Sequence, residues 1–295
     1  MAVSVEDIVL QRDRRGVGAL REHLPPDFCH RAAAFALERP GSVLIATGFC
    51  TAGVGETDGP LGAVALGDAL EQLGFPVAYL TDCYATRLVD AIRSPSTHLV
   101  DVPILDLEAT HRLAARVLGD LQPALLVSVE RCGLTREGRY RTMSGRDITA
   151  ETAYIDAFFL QHDRTIAVGD GGNEIGMGNL YDVVRATPAL VADPAATPAS
   201  HLVIASVSNW GAYGVVAALS LLVGRDLLPR PEDERDRLRA LVAAGAVDGI
   251  TGRCEETVDT FPWEVHEAVL RQLHALVQSG LGSQTMRRGV RPTVP

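Results

Sequence analysis

Six apolar stretches of strand length, spaced by helix-length segments, constrain this chain more than anything else in it. They are "SVLIATGF" (42–49), "PVAYLTD" (76–82), "HLVDVPI" (98–104), "ALLVSVE" (124–130), "RTIAVGD" (164–170) and "HLVIASVS" (201–208). A strand that is apolar at nearly every position, rather than every second one, must be covered on both faces. Between the runs lie amphipathic segments. Residues 59–74 end at Gly74, suited to a helix C′ position. Residues 106–121 open on Asp106, suited to an N-cap. Residues 151–162 follow Thr149, residues 211–224 follow Asn209, and residues 228–245 read as a charged helix started by proline. Strands and helices in this alternation predict an α/β chain: a Rossmann-like three-layer sandwich with a mostly parallel central sheet and helices on both faces. A weaker strand is expected over 245–251, and a surface connection over 187–200. No linker or repeat divides the chain. The expectation is one domain over 1–295, with N-terminal helices in 1–40, the core in 41–260 and a C-terminal helix and tail in 261–295.

Composition then removes whole classes of function. The net charge of -10 disfavours a nucleic-acid partner, which selects a basic face. The short basic clusters "RDRR" near Arg12 and "RR" at Arg287 read as solvated tails. No apolar run approaches the ~18–20 residues of a membrane span. Glu6 and Asp7 stand where a signal peptide carries positive charge. Five cysteines (Cys29, Cys50, Cys83, Cys132 and Cys254) form no C-x-x-C pair, and the eight histidines form no H-x-x-x-H pair. Reduced thiols in the cytoplasm are expected, without a zinc site. The chain contains no lysine. That disfavours pyridoxal phosphate, held as a lysine Schiff base, and a P-loop, whose lysine contacts phosphate. Arginine carries the permanent side-chain positive charge, and it suits bidentate recognition of carboxylates.

Function is expected at the carboxyl ends of the strands, where open α/β sheets bind ligands. Five runs end there in polar or acidic groups: the loop after residue 49, Asp82, Glu130-Arg131, Asp170 and Ser208-Asn209. "GVGETDGPLGA" (53–63) has the wrong spacing for a dinucleotide fingerprint and carries Glu56 and Asp58 where pyrophosphate would lie. A tight turn, with Asp58 capping the next helix, explains it equally well. "GDGGNEIGMGN" (169–179) packs glycines beside Asp170 and Glu174. Amides there attract anions and the acids attract cations. A zwitterionic amino acid satisfies both, as does an anion bridged by Mg²⁺ or Mn²⁺. "SVERCGLTREGRYRTMSGRDI" (128–148) offers arginines that either face solvent or clamp a carboxylate.

Taken in order and at these intervals, "ETDGPLGA", "SVERCG…YRTMSGRDI", "GDGGNEIGMGN" and "SNWGAYG" (208–214) resemble the D-glutamate cyclase family, in particular its C-terminal domain. The resemblance spans about residues 40–260. Longer members, as in mitochondria, carry a further N-terminal domain for which the first forty residues leave no room. The resemblance implies a hydro-lyase that closes D-glutamate to 5-oxo-D-proline with loss of water. Under that reading Asp170, Glu174 and Glu130 are the catalytic acids, with Asp170 and Glu174 also the metal ligands if a divalent cation takes part. Thr57, Asp58, Gly59, Asp82, Ser208 and Asn209 would shape the substrate site. Arg131 and Arg141 would clamp carboxylates, and the amides of Gly171, Gly172 and Asn173 would form an anion nest. The partner expected is a small amino-acid substrate, without a nucleotide, nucleic acid or membrane; a homo-oligomer stays open. Two rival readings remain: lactam formation or dehydration of a different amino acid or dicarboxylate, and amino-acid binding without turnover.

Overall fold

In the first strand, β1 (Val43–Thr47), Val43 and Ile45 pack into one apolar cluster while Leu44 and Ala46 pack into another on the opposite face. That two-sided burial runs through the central sheet. Its other strands are β2 (Val77–Thr81), β3 (His98–Asp101), β4 (Leu125–Val129), β5 (Thr165–Gly169) and β6 (His201–Ile204). The order is β3-β2-β1-β4-β5-β6, parallel throughout. Ile45 lies between Tyr79 and Val127, which fixes the central register. The coordinates are a computed structural model that describes residues 3–51 and 53–289. Side chains from 284 onward, including Arg287, and the tail 290–295 lie outside that description.

The helices are α1 (Val5–Val9), α2 (Phe28–Leu37), α3 (Pro60–Gln72), α4 (Thr86–Ile92), α5 (Leu107–Leu121), α6 (Asp156–Phe159), α7 (Tyr181–Ala186), α8 (Ser208–Val223), α9 (Pro231–Ala243) and α10 (Trp263–Gly289). One face of the sheet carries α3 and α8, and the other carries α5 and α6. The three-layer α/β sandwich is therefore observed. Helix α8 is buried on every side from Ser208 to Ser220, because α1, α2 and α10 cover what the sheet and α3 do not. An apolar circumference of that kind belongs to a helix inside the core.

Several local expectations hold. Asp106 caps α5 by accepting the Ala109 N–H at 2.7 Å. Gly74 follows α3 in a left-handed conformation at φ 86°. Two expectations fail for identifiable reasons. Residues 151–162 do not form one helix but a 3₁₀ turn, Thr149–Glu151, and then the short α6. Polar groups of that segment are spent on distant partners. The Ala153 N–H donates to Asp82 at 3.2 Å, and the Asp156 carboxylate accepts the Leu134 N–H at 2.9 Å and the Tyr140 hydroxyl at 2.5 Å. Such side-chain bonding competes with a helical ladder. Residues 245–251 form no strand. Asp248 folds them into a turn by accepting the N–H groups of Ile250 and Thr251 at 3.0 and 2.9 Å.

The helices α3 and α8 start side by side, and each is capped from the other's leading segment. Asp58, just before α3, accepts the Ser208 and Asn209 N–H groups at the head of α8, both at 2.9 Å. Asn209 returns its Oδ1 to the Gly59 and Gly62 N–H groups at the head of α3, at 3.0 and 2.7 Å. The expected role of Asp58 as a cap for the next helix is thus corrected: it caps α8, and Asn209 caps α3. Buried amides left unpaired cost about 1–3 kcal/mol each. Asn209→Ala is expected to lower stability by about 1–3 kcal/mol in urea unfolding; a change within error would mean that water reaches the α3 amides.

Candidate functional site

A parallel sheet puts the carboxyl ends of all its strands on one edge. The order 3-2-1-4-5-6 reverses direction between β1 and β4, and a crevice opens outside the strands at such a switch point. A cleft of about 420 Å³ opens beside these strand ends, lined by Arg15, Glu56, Glu130, Met143, Asp170 and Asn173 among others. Glu130 directly follows β4 and Asp170 directly follows β5.

Glu130 is held in the left-handed region at φ 46°. A non-glycine residue there costs on the order of 1 kcal/mol and needs its surroundings to hold it. Ser208 does so by donating its hydroxyl to Glu130 at 2.5 Å. Gly59 completes the fit: a Cβ on it would fall 2.8 Å from the Glu130 Cβ. Absence of that side chain lets α3 begin against the end of β4.

Around Glu130 the acids converge. Oxygens of Glu130, Asp170 and Glu174 lie within 4.8 Å of one another, and so do oxygens of Asp58, Asp170 and Asp259. Glu56 adds a sixth buried carboxylate, accepting the Thr51 hydroxyl at 3.0 Å. The positive charge among them is Arg15, whose side chain is 18% exposed, paired with Asp170 and, at 2.7 Å, with Asp259. Burial raises the proton affinity of Glu130, and Glu174, Asp58 and Glu56 raise it further. Burial likewise pushes up Asp170, against the pull of Arg15. Glu56 rises through burial and then Asp259 and Asp58. Asp58 is pushed up to about 7 by burial and Asp259, which outweigh the amides of α8 and Arg15. The cluster therefore holds carboxyls whose proton affinity burial raises above the ordinary range, the kind of shift that acid-base catalysis uses.

The glycine-rich loop is built differently from the expected anion nest. Glu174 occupies it, accepting the N–H groups of Asp170 (3.0 Å), Gly171 (2.6 Å) and Gly172 (2.8 Å). The amides of Gly171 and Gly172 are committed to Glu174, and Glu174 shapes the loop that presents Asp170. Asn173 donates its amide to the Arg141 carbonyl at 3.0 Å and lines the cleft. Thr57 is a tie to a neighbouring segment, its hydroxyl donating to the Thr257 carbonyl at 2.8 Å. Arg131 and Asp82 pair with each other at 2.6 Å, and Arg131 also donates to the carbonyls of Gly48 and Ala153. Both are buried and neither lines the cleft. Arg141 lines a different, larger cleft, where it pairs with Asp193 at 2.9 Å.

Three charged residues of the buried cluster escaped the sequence reading of the site. Arg15 was taken for part of a solvated tail. Its signal was Asp13, whose carboxylate accepts the N–H groups of Arg15, Gly16 and Gly18 at 3.0, 2.7 and 2.8 Å and so turns the chain inward. Arg14, its neighbour, lies over the Phe261 ring at 3.9 Å. Asp259 sits with Thr260 at the tip of a tight hairpin, both at positive φ (51° and 65°). A β-branched residue there is an outlier, and Asp248 holds it by accepting the Thr260 N–H at 2.7 Å. Glu56 was seen only as an obstacle to phosphate.

Hard oxygen donors of this kind suit Mg²⁺ or Mn²⁺. Asp259 Oδ2 and Asn173 Oδ1 are buried with no hydrogen-bond partner among the described residues, so a cation or a donor would satisfy them. The residues present thus fit a cation, whether a metal or an ammonium.

Fold and cleft together define an open doubly wound α/β protein with an acidic cleft at its switch point. The family model described as D-glutamate cyclase-like, C-terminal, matches residues 5–274, so the chain belongs to that family. It is 35% identical over 214 residues to the mitochondrial D-glutamate cyclase of Homo sapiens. That alignment covers 64% of this chain and 34% of the relative, so the chain spans about a third of the relative's length. No helix among the described residues is long and apolar enough to cross a membrane.

The raised proton affinities have a consequence for stability. Asp58 in the folded chain binds its proton more tightly than at its ordinary 3.8. Its contribution is complete below that pH and is lost as pH rises through about 7. Glu56 acts with the same sign. The melting temperature of the ligand-free protein is expected to fall as pH rises toward neutrality, and Glu56→Gln to flatten that fall. A flat profile in the parent protein would contradict the charge assignment.

Proposed function

We propose that the chain is a hydro-lyase that cyclises D-glutamate to 5-oxo-D-proline, releasing water. The observation that carries this reading is the convergence of Glu130, Asp170, Asp58 and Asp259 around Arg15 at the switch point. A substrate with one ammonium and two carboxylates matches that arrangement. Its ammonium meets the surplus of acids, and its γ-carboxyl lies toward the guanidinium of Arg15. Arg146, also on the cleft wall, pairs with Glu151 at 3.2 Å and would exchange that partner to meet the α-carboxylate.

The reaction is balanced within the substrate. The nitrogen loses two protons, the C–N bond forms at the γ-carbon, and one γ-oxygen leaves as water carrying both protons. The enzyme therefore needs a group that takes protons from nitrogen and one that hands them to oxygen. Glu130 takes the first role, its second oxygen being held by Ser208. Asp170, whose proton affinity burial raises against the pull of Arg15, takes the second. Folding the substrate so that nitrogen reaches the γ-carbon supplies several kcal/mol more, up to about 7–11 for a well-aligned pair. Where a divalent cation takes part, Asp170 would hold it, with Asp58 and Asp259 on one side or with Glu130 on the other, and it would polarise the γ-carboxyl. Glu174, engaged with three amides, has less to give such an ion than the sequence suggested.

Turnover is read by chiral mass spectrometry of D- and L-glutamate incubations, with Mg²⁺, Mn²⁺ or EDTA. The expected product is 5-oxo-D-proline from the D form alone. Loss in EDTA with recovery in Mn²⁺ assigns polarisation to a metal, whereas persistence in EDTA assigns it to Arg15. Glu130→Gln is expected to lower kcat by about 10²–10⁴ while leaving the fold intact. Ligand-induced stabilisation by D-glutamate with no product in any metal would replace catalysis with binding.

A further inference from the structure

The larger of the two clefts on this side of the molecule, about 710 Å³, is not the acidic one. It lies against the other side of the Thr142–Gly145 turn: Thr142, Met143 and Ser144 line both clefts. The turn is closed by the Gly145 N–H donating to the Thr142 carbonyl at 2.8 Å. Its chemistry is the reverse of its neighbour's. Arg136, Arg141 and Arg185 line it against two carboxylates, Glu137 and Asp193. Both of those acids are drawn to Arg141, at 3.4 and 2.9 Å. Arg185 has no carboxylate within ion-pair distance among the described residues, and Arg136 has only the distant Asp182 at 4.0 Å. Two guanidiniums thus keep their donors free, in a chain whose net charge is -10. Apart from Thr142 and Ser144, the rest of the wall is apolar, from Leu190 and Val191 to the Tyr181 ring, over which Arg136 lies at 3.5 Å.

We propose that this second cleft binds a small organic anion, a carboxylate or phosphate ester attached to a flat ring. Arg185 and Arg136 take the anionic group, and the ring lies along the Arg136–Tyr181 stack and the apolar wall. The volume falls within the ~300–1,000 Å³ of small-molecule sites. The ligand is distinct from the amino acid proposed for the acidic cleft, because no buried carboxylate here receives an ammonium. Occupancy is felt next door through Met143, which fills the space over Gly171: a Cβ on that glycine would fall 2.5 Å from the Met143 sulfur.

Calorimetric titration of the full chain with phenyl phosphate, benzoate and inorganic phosphate tests this without any need for turnover. Expected is saturable binding of one ring-bearing anion per chain, at least about tenfold tighter than inorganic phosphate. Preference for phenyl phosphate assigns a phosphate ester, and preference for benzoate assigns a carboxylate. Arg185→Ala and Arg136→Ala, both exposed positions, are expected to weaken it about tenfold or more, while Arg146→Ala in the acidic cleft leaves it unchanged. No saturable heat at millimolar probe, or equal affinity in Arg185→Ala and Arg136→Ala, overturns the assignment.

Discussion

Burying carboxylates beside one another is the constraint on which the rest of this structure turns. Each ion removed from water costs several kcal/mol unless opposite charge or a proton meets it. Here Glu56, Asp58, Glu130, Asp170, Glu174 and Asp259 are buried together, and Arg15 is the guanidinium that reaches them. Amides neutralise part of the charge: three serve Glu174, and the head of α8 serves Asp58. Protons answer for more, which is why burial raises the proton affinity of Glu56, Asp58, Glu130 and Asp170. A positively charged ligand would relieve what remains, so the proposed ammonium substrate or a metal would offset part of the folding cost.

The fold delivers these groups through its most regular part. Parallel strands bring Glu130 and Asp170 to neighbouring ends, because β4 and β5 are paired in register. The cross-caps between α3 and α8 then lock the two helix heads over the same edge, so Asp58 serves both the fold and the electrostatics of the cleft. Strain gathers at this place too. Glu130, Asp259 and Thr260 adopt left-handed backbone, each fixed by a hydrogen bond from a neighbouring group or an acceptor on another segment. Such strain persists only where surroundings over-determine it.

Most of the architecture was legible in the chain. The six apolar runs became the six strands, and Asp106 and Gly74 marked helix ends, because those signals are local. The segment 151–162 misled because its polar groups bond to Asp82, Leu134 and Tyr140, which are far away in sequence. Within the site, Glu130, Asp170, Glu174 and Asp58 could be picked out as acids at strand ends, although Glu174 turned out to fill the loop's own amides. Arg131 and Asp82 were chemically apt but satisfy each other below the rim. Arg15 and Asp259 come from segments more than 240 residues apart and meet at 2.7 Å. Only the tertiary fold makes that pair, and only faint turn signals at Asp13 and at the Asp259-Thr260 tip pointed to it.

The central claim is that burial raises the proton affinity of the carboxyls gathered around one guanidinium. Carbon-13 NMR of labelled Asp and Glu side chains, followed through a pH titration of the ligand-free protein, measures it directly. The account predicts site carboxyls that still titrate near neutrality and that shift further upward in Arg15→Met. If every carboxyl in the protein titrates in the ordinary acidic range, and Arg15→Met changes none of them, the cluster is solvated and this account of the site is wrong.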